Sequence, residues 1–395
     1  MLTVHSIEIP EVLLGDIAGG GACVARLPGE GSGRVVFVRG GLPGERVRVR
    51  LTDTSRKAWW RGEVAEVIEA SPDRVTPPCP MAGVCGGCDW QHISLARQRE
   101  LKARIVDQQL SRLAHVEYPV EVRAVEGDQD GLAWRTRMRY LAGGGRLGLR
   151  AAGSHDMAPV PAGGCPLVAP GGPPDSRVLK LIGGRPEAAV TIASSGWSVW
   201  SPGGGVLAGD QVVTQHAAGR DYDVMADGFW QVHPGAADAL AAAVIDLTGA
   251  EEGDTAVDLY CGAGLFAGAL AARGVKVRGV EANRPAVAMA RRNVPQGEFI
   301  EARVERAAWD DAPADIAVLD PPRAGAGADV VRRLAKGRPK SIAYVSCDPA
   351  SLARDIATFA EEGYVLDTLL AFDAFPMTAH VECVVALSPA VDLNA

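Results

Sequence analysis

From about residue 223 onward, strand-like and helix-like stretches take turns: TAVDLY, LFAGALAAR, VKVRGVE, PAVAMARRN, DIAVLD, DVVRRLAKG, SIAYVS and SLARDIATF follow one another with short joints. Strands separated by helices return in the same direction, so the pattern predicts a parallel sheet covered on both faces. The closing stretches YVLDTLLAFD and HVECVVALS have no helix between them. They predict a hairpin at one edge of that sheet.

A chain of 395 residues exceeds one ordinary domain of about 100–200 residues, and its first half reads differently. Residues 1–70 alternate apolar and polar positions in GRVVFVRG, GERVRVRLT and RGEVAEVIEA, which predicts a small β-barrel of the oligonucleotide-binding kind. Arg46, Arg48, Arg50, Arg56, Lys57 and Arg61 surround Trp59 and Trp60 there, a basic stretch with rings on which bases can stack. A solvated charged face is the plainer alternative. Residues 71–222 form a middle region that opens with a cysteine-rich segment, followed by a helical stretch at about 93–114 able to pack on the third domain. In AWRTRMRY, Arg135, Arg137 and Arg139 alternate along a predicted strand and share one face, which reads either as a second candidate patch for RNA or as an exposed strand face. Gly- and Pro-rich, loop-rich sheet completes the region, and residues 223–395 make the third domain.

The start, MLTVHSIEIPEVLLGD, has no basic segment and no long apolar run, unlike a secretory signal. No stretch reaches the ~18 apolar residues of a membrane span. A cytoplasmic protein without a membrane partner is expected, in which cysteines serve as metal ligands, catalysts or buried hydrophobes rather than disulfides. The net charge of −8 requires any nucleic-acid contact to use local patches.

Four constellations carry chemistry. Cys79, Cys85 and Cys88 form Cys-x5-Cys-x2-Cys, whose paired glycines let the thiolates converge, and Cys165 in GGCPL is the best-placed fourth ligand. Such a set suits zinc or an iron–sulfur cluster, which spacing alone does not separate. In VDLYCGAGLFAGALA a strand ending at Asp258 runs into Gly262 and Gly264, and Glu281 ends the next strand, where an acid can take the hydroxyls of a nucleotide ribose. The third glycine of a dinucleotide site is missing, which favours S-adenosylmethionine over NAD. In VLDPPRAGAG, Pro321 and Pro322 stop the strand so that Asp320 and Arg323 stand at the sheet's carboxyl edge. Lastly, YVSCDPASLARD puts Cys347 between a strand and a helix capped by Asp348 and Pro349, where a helix N-terminus can lower a thiol's pKa. Glu382 lies inside the apolar strand after it, either a charge that blocks edge pairing or a buried carboxylate able to take a proton. His380 on the same face reads as a structural hydrogen-bonding residue.

Taken in order, the barrel, CGGCDWQH, DGFWQVHP, DLYCGAG, DPPRAG, SCDP and FPMTAHVE resemble the bacterial RNA uracil-5-methyltransferases that carry an iron–sulfur cluster, over nearly the whole chain. The resemblance implies an α/β protein: a Rossmann-like class I methyltransferase domain, an N-terminal TRAM barrel and a central β-rich iron–sulfur domain. It implies an S-adenosylmethionine-dependent RNA (uracil-5-)-methyltransferase, acting as a monomer on 23S rRNA ahead of tRNA. Cys79, Cys85, Cys88 and Cys165 are then ligands of a 4Fe-4S cluster. Gln231, Tyr260, Gly262, Gly264, Glu281 and Asp320 line the cofactor site, Cys347 is the nucleophile and Glu382 the base. Leu265 departs from relatives with a polar residue after the glycines, and the stretch 165–222 matches poorly, so no base-reading residue is assigned there. A non-catalytic RNA-binding protein with a structural metal site is the rival from another class. Radical methylthiotransferases are disfavoured by the cysteine spacing, and cytosine-5 RNA methyltransferases by the missing Pro-Cys and the cysteine cluster.

Overall fold

The computed structural model describes residues 11–27, 33–128, 130–311 and 313–390; the expectations for residues 1–10 lie outside them. Strands β1 (Val12–Leu13), β2 (Cys23–Leu27), β3 (Arg34–Arg39), β4 (Arg46–Asp53) and β5 (Trp59–Glu69) form a five-stranded sheet in the order β1-β4-β5-β3-β2. Alternation along β4 sends Val47, Val49 and Leu51 inward against Val36, Val38 and Ile17, all buried. The opposite face carries the charges.

Helix α1 (Leu95–Gln109) follows, continued by a wider turn over Leu110–Ala114 that ends at His115 in the left-handed region. Its Leu101 and Ile105 pack with Trp90 into the barrel core, whereas Val106, Leu110 and Ala114 join the core of the third domain. The helix therefore joins the two cores. Strand β6 (Val122–Ala124) then leaves the middle region altogether and becomes the outermost strand of the third domain's sheet.

The rest of the middle region is antiparallel. Strands β7 (Arg137–Gly143), β8 (Arg146–Arg150), β9 (Met157–Pro159), β10 (Glu187–Ala193), β11 (Gly196–Ser201) and β12 (Gly205–Ala208) lie in the order β12-β11-β10-β7-β8-β9, with α2 (Asp175–Ile182) packed on them. A separate hairpin, β13 (Val212–Ala217) and β14 (Arg220–Met225), leads to α3 (Ala236–Thr248).

The third domain alternates as expected: β15 (Thr255–Leu259), α4 (Leu265–Ala271), β16 (Lys276–Glu281), α5 (Arg284–Asn293), β17 (Glu298–Glu301), β18 (Ile316–Leu319), α6 (Ala328–Lys336), β19 (Ser341–Ser346), α7 (Pro349–Glu361), β20 (Tyr364–Asp373) and β21 (Glu382–Pro389). The sheet order is β17-β16-β15-β18-β19-β21-β20-β6, with β21 antiparallel to both neighbours. The closing hairpin is present, but it does not form the edge, because β6 pairs in parallel with β20 beyond it. Strand order reverses beside β15, and there the carboxyl ends open a crevice. Among the described residues no helix is long and apolar enough to cross a membrane.

Candidate active site

A cavity of about 830 Å³ opens over the carboxyl ends of β15, β16, β18 and β19. Gln231, Tyr260, Gly262, Glu281, Asp320, Cys347 and Glu382 all line it. Gly264 does not. It precedes α4 at a φ of 89°, and a Cβ there would lie 3.4–3.5 Å from Val294 and Ala290. Those are ordinary contact distances, so the left-handed φ rather than crowding is what favours glycine there. At Gly262, also in the left-handed region, a Cβ would meet nothing within 4 Å, so the glycine provides backbone freedom and open space for a ligand. Tyr260 is left-handed too (φ 66°), a conformation costing about 1–3 kcal/mol at a non-glycine residue on the cavity wall.

Glu281 ties this loop to the next helix. Its carboxylate accepts the Gly262 N–H at 3.2 Å and the Asn283 N–H at 2.6 Å, and Asn283 caps α5 by accepting from Ala286. Asp258, wholly buried beneath, accepts the Ala267 N–H at 2.9 Å near the start of α4. Burial first, with the charges of Asp320 and Glu281, pushes its pKa up to about 8 against the hydrogen bond from Ala267. Burial also lifts Asp320 to about 7.

Cys347 and Glu382 line one cavity. Cys347 directly follows Ser346 of β19, which pairs in antiparallel register with Cys383 of β21, the residue after Glu382. Asp348 caps α7 as its sequence predicts, accepting the Ser351 N–H at 2.8 Å, with Pro349 in the first turn. The expected lowering of the thiol pKa is overturned. Burial first, then the charge of Glu382, and more weakly Asp320 and Asp348, together push Cys347 up to about 11 against the opposing Arg323. Glu382, 5% exposed, is held well above the ordinary carboxylate range by burial and by Asp320, again against Arg323. His380 faces Arg323 at 3.3 Å and sits edge-on to Phe375, and burial, then Arg323, push its pKa down.

Sequence reading missed Phe229, which is 72% exposed although it lines the cavity, and Phe375 on the same wall. In GFWQ nothing local tells Phe229, turned outward, from Trp230, buried against Tyr222.

Cys79, Cys85, Cys88 and Cys165 line a second, small cavity with Gln91 and Arg135. Gln91 accepts the Cys79 N–H at 3.1 Å. Among the described residues, however, no group of three or more His, Cys, Asp or Glu is arranged to hold a metal ion. The thiols share a wall without forming a closed metal centre.

Both basic patches are smaller than their sequences suggest. Arg46, Arg48 and Arg50 of β4 pair with Glu69, Glu66 and Glu63 of β5 at 3.4, 2.5 and 2.6 Å. What remains is aromatic: Arg34 lies over Trp60, and Arg56 and Arg61 over Trp59, with no ion pair to any of the three among the described residues. In the middle sheet Arg135 faces the cysteines, Arg139 pairs with Glu187, and Arg137 donates to the Ala226 and Gly228 carbonyls. Three arginines on one face are thus three separate contacts rather than one patch.

Comparison with known proteins agrees with this geometry. Residues 302–390 match the tRNA (Uracil-5-)-methyltransferase family model, residues 8–59 the TRAM domain and residues 257–320 a methyltransferase domain. An RNA methyltransferase of Streptomyces avermitilis is 42% identical, covering 96% of this chain and 98% of its own. The 23S rRNA (uracil(1939)-C(5))-methyltransferase RlmD of Shewanella amazonensis is 32% identical over 89% of this chain and 90% of its own. In fold, the Pyrococcus abyssi tRNA (uracil-54, C5)-methyltransferase, solved with S-adenosyl-L-homocysteine, superimposes with a TM-score of 0.73 at 24% identity, covering 95% of this chain and 99% of that one. With a TRAM barrel, a class I methyltransferase sheet and a relative of known base and carbon over most of its length, the chain belongs to the S-adenosylmethionine-dependent RNA (uracil-5-)-methyltransferases.

Proposed function

We propose that the enzyme methylates carbon 5 of a uridine in 23S rRNA through a transient bond between Cys347 and carbon 6 of the base. The observation that carries the reading is that Cys347 and Glu382, which adjoin the paired residues Ser346 and Cys383, line one cavity with Glu281 and Asp320. S-adenosylmethionine supplies an electrophilic methyl group on a sulfonium, but carbon 5 of uracil is too weak a nucleophile to take it unaided. Cys347, once deprotonated, adds to carbon 6 and drives charge onto carbon 5 and the neighbouring oxygen. Carbon 5 would take the methyl group as the sulfur–methyl bond breaks and S-adenosylhomocysteine leaves, and Glu382 then removes the proton on carbon 5. The carbon–sulfur bond breaks, and Cys347 leaves as the ring double bond is restored. The burial of Glu382 suits this role, because a carboxylate with a raised proton affinity is a stronger base toward carbon. Gln231, Tyr260, Gly262, Glu281 and Asp320 hold the cofactor, with Glu281 at the ribose. Gly264 shapes the loop from behind.

The uridine must leave its stack to enter, at a cost of a few kcal/mol. Trp59 and Trp60 with Arg34, Arg56 and Arg61 on the barrel form the surface best suited to gripping flanking RNA in compensation. The Shewanella relative favours ribosomal over transfer RNA. Tritium release separates them: with each RNA labelled at carbon 5 of uracil, release from 23S rRNA alone is expected. Release from tRNA alone would move the substrate, and release from neither by folded protein would remove the reaction.

Cys79, Cys85, Cys88 and Cys165 hold a 4Fe-4S cluster on this reading, because four thiols facing one cavity supply its all-thiolate donor set. No step of the methyl transfer passes through it. Protein prepared without oxygen is expected to contain about four irons per chain, with broad visible absorbance, both largely lost in Cys88→Ser. About one zinc per chain and no iron would replace the cluster with a zinc site.

A further inference from the structure

The turn between β20 and β21 carries Phe375 into the cavity and delivers Glu382, yet it is held from outside its own domain. Lys102 of α1 is completely buried, as is Asp373 at the end of β20. The Lys102 ammonium donates to the Asp373 carboxylate and, at 3.0 Å, to the Phe375 carbonyl. Gln98, one helical turn earlier and equally buried, accepts the Met377 N–H at 2.8 Å while donating to the Trp90 and Ile93 carbonyls. The Met377 carbonyl in turn accepts the N–H groups of Asp89 and Trp90, both at 3.0 Å. Met377 itself is in the left-handed region, φ 64°, a conformation that persists only where its surroundings enforce it. Every second residue from Asp373 to Met377 is thus tied to the segment 89–102.

A buried ion pair is weak evidence for stability, since apolar side chains of similar volume often serve as well. What this pair adds is direction: it aims one charge at the end of β20 and a second bond at the backbone beside Phe375. We infer that Lys102 and Gln98 are positioning residues, which set the β20–β21 turn so that Glu382 and Phe375 meet the base bound to Cys347. The inference rests on the reading of Glu382 as the base.

The test removes the pair while Arg99, which also faces Asp373 at 3.4 Å, keeps Asp128 at 2.9 Å as its partner. Lys102→Met/Asp373→Asn keeps the core filled, and Gln98→Met is a second, independent variant. Both are expected to retain the cofactor and RNA affinities of the parent and to lower kcat about 10- to 100-fold. They are also expected to accumulate a covalent protein–RNA complex on denaturing gels, because addition by Cys347 proceeds while proton removal lags. Lys102→Arg, which keeps a charge opposite Asp373, should retain most of kcat. Glu382→Gln runs beside them. If it traps the complex and the clamp variants turn over like the parent, or lose activity only as they unfold, the inference fails. If Glu382→Gln traps nothing, the assignment of Glu382 as the base at carbon 5 itself fails.

Discussion

Cys347→Ala loses methyl transfer by at least about 10⁴-fold, the scale on which removal of a covalent nucleophile acts, and releases no tritium from carbon-5-labelled RNA. Cofactor affinity is expected to stay within about twofold of the parent, since Gln231, Tyr260 and Glu281 lie on other elements of the cavity. The thiol also predicts a pH profile. With its pKa pushed up to about 11, chiefly by burial and then by Glu382, the reactive thiolate is scarce at neutral pH. Single-turnover rates should therefore climb with pH, by about tenfold per unit where addition limits. Arg323 is the cation opposing that shift, so Arg323→Met should move the rising limb to higher pH. A Cys347→Ala enzyme that still released tritium would end the covalent mechanism, and a flat profile would mean that another group takes the thiol's proton first.

What could be read from the sequence was what local rules dictate. Strand and helix alternation gave the parallel sheet, and the Asp348–Pro349 start of α7 placed Cys347 at its strand end. Glu382 stood out because a carboxylate interrupts an apolar strand. The hidden parts depend on pairings between distant segments. Three residues, Val122–Ala124, have too little pattern to announce that they extend a sheet whose other strands begin about 130 residues later in the chain. Arg46, Arg48 and Arg50 look like a basic stripe until β5 sets a glutamate opposite each of them. The direction of the thiol's pKa shift is hidden for the same reason. A helix N-terminus is visible in sequence, whereas the carboxylates of Glu382 and Asp320 reach Cys347 only through the fold.

Glu382→Gln separates the two halves of the reaction. The amide fills the same space but cannot accept a proton from carbon 5, so addition and methyl transfer proceed while elimination stalls. Turnover is expected to fall by about 10²- to 10⁴-fold, and a methylated RNA–protein complex should survive denaturation and disappear when Cys347 is also replaced. Folding should not suffer. Burial raises the pKa of Glu382 well above its unfolded value, so its carboxyl favours the folded state most at low pH and loses that advantage as pH rises through the raised value. Glutamine resembles the protonated form and undergoes no such loss, so at about pH 8 the variant should melt at or above the parent's temperature. Full loss of activity with no trapped complex, in a protein that melts normally, would show Glu382 acting before the covalent bond forms, as the base that activates Cys347.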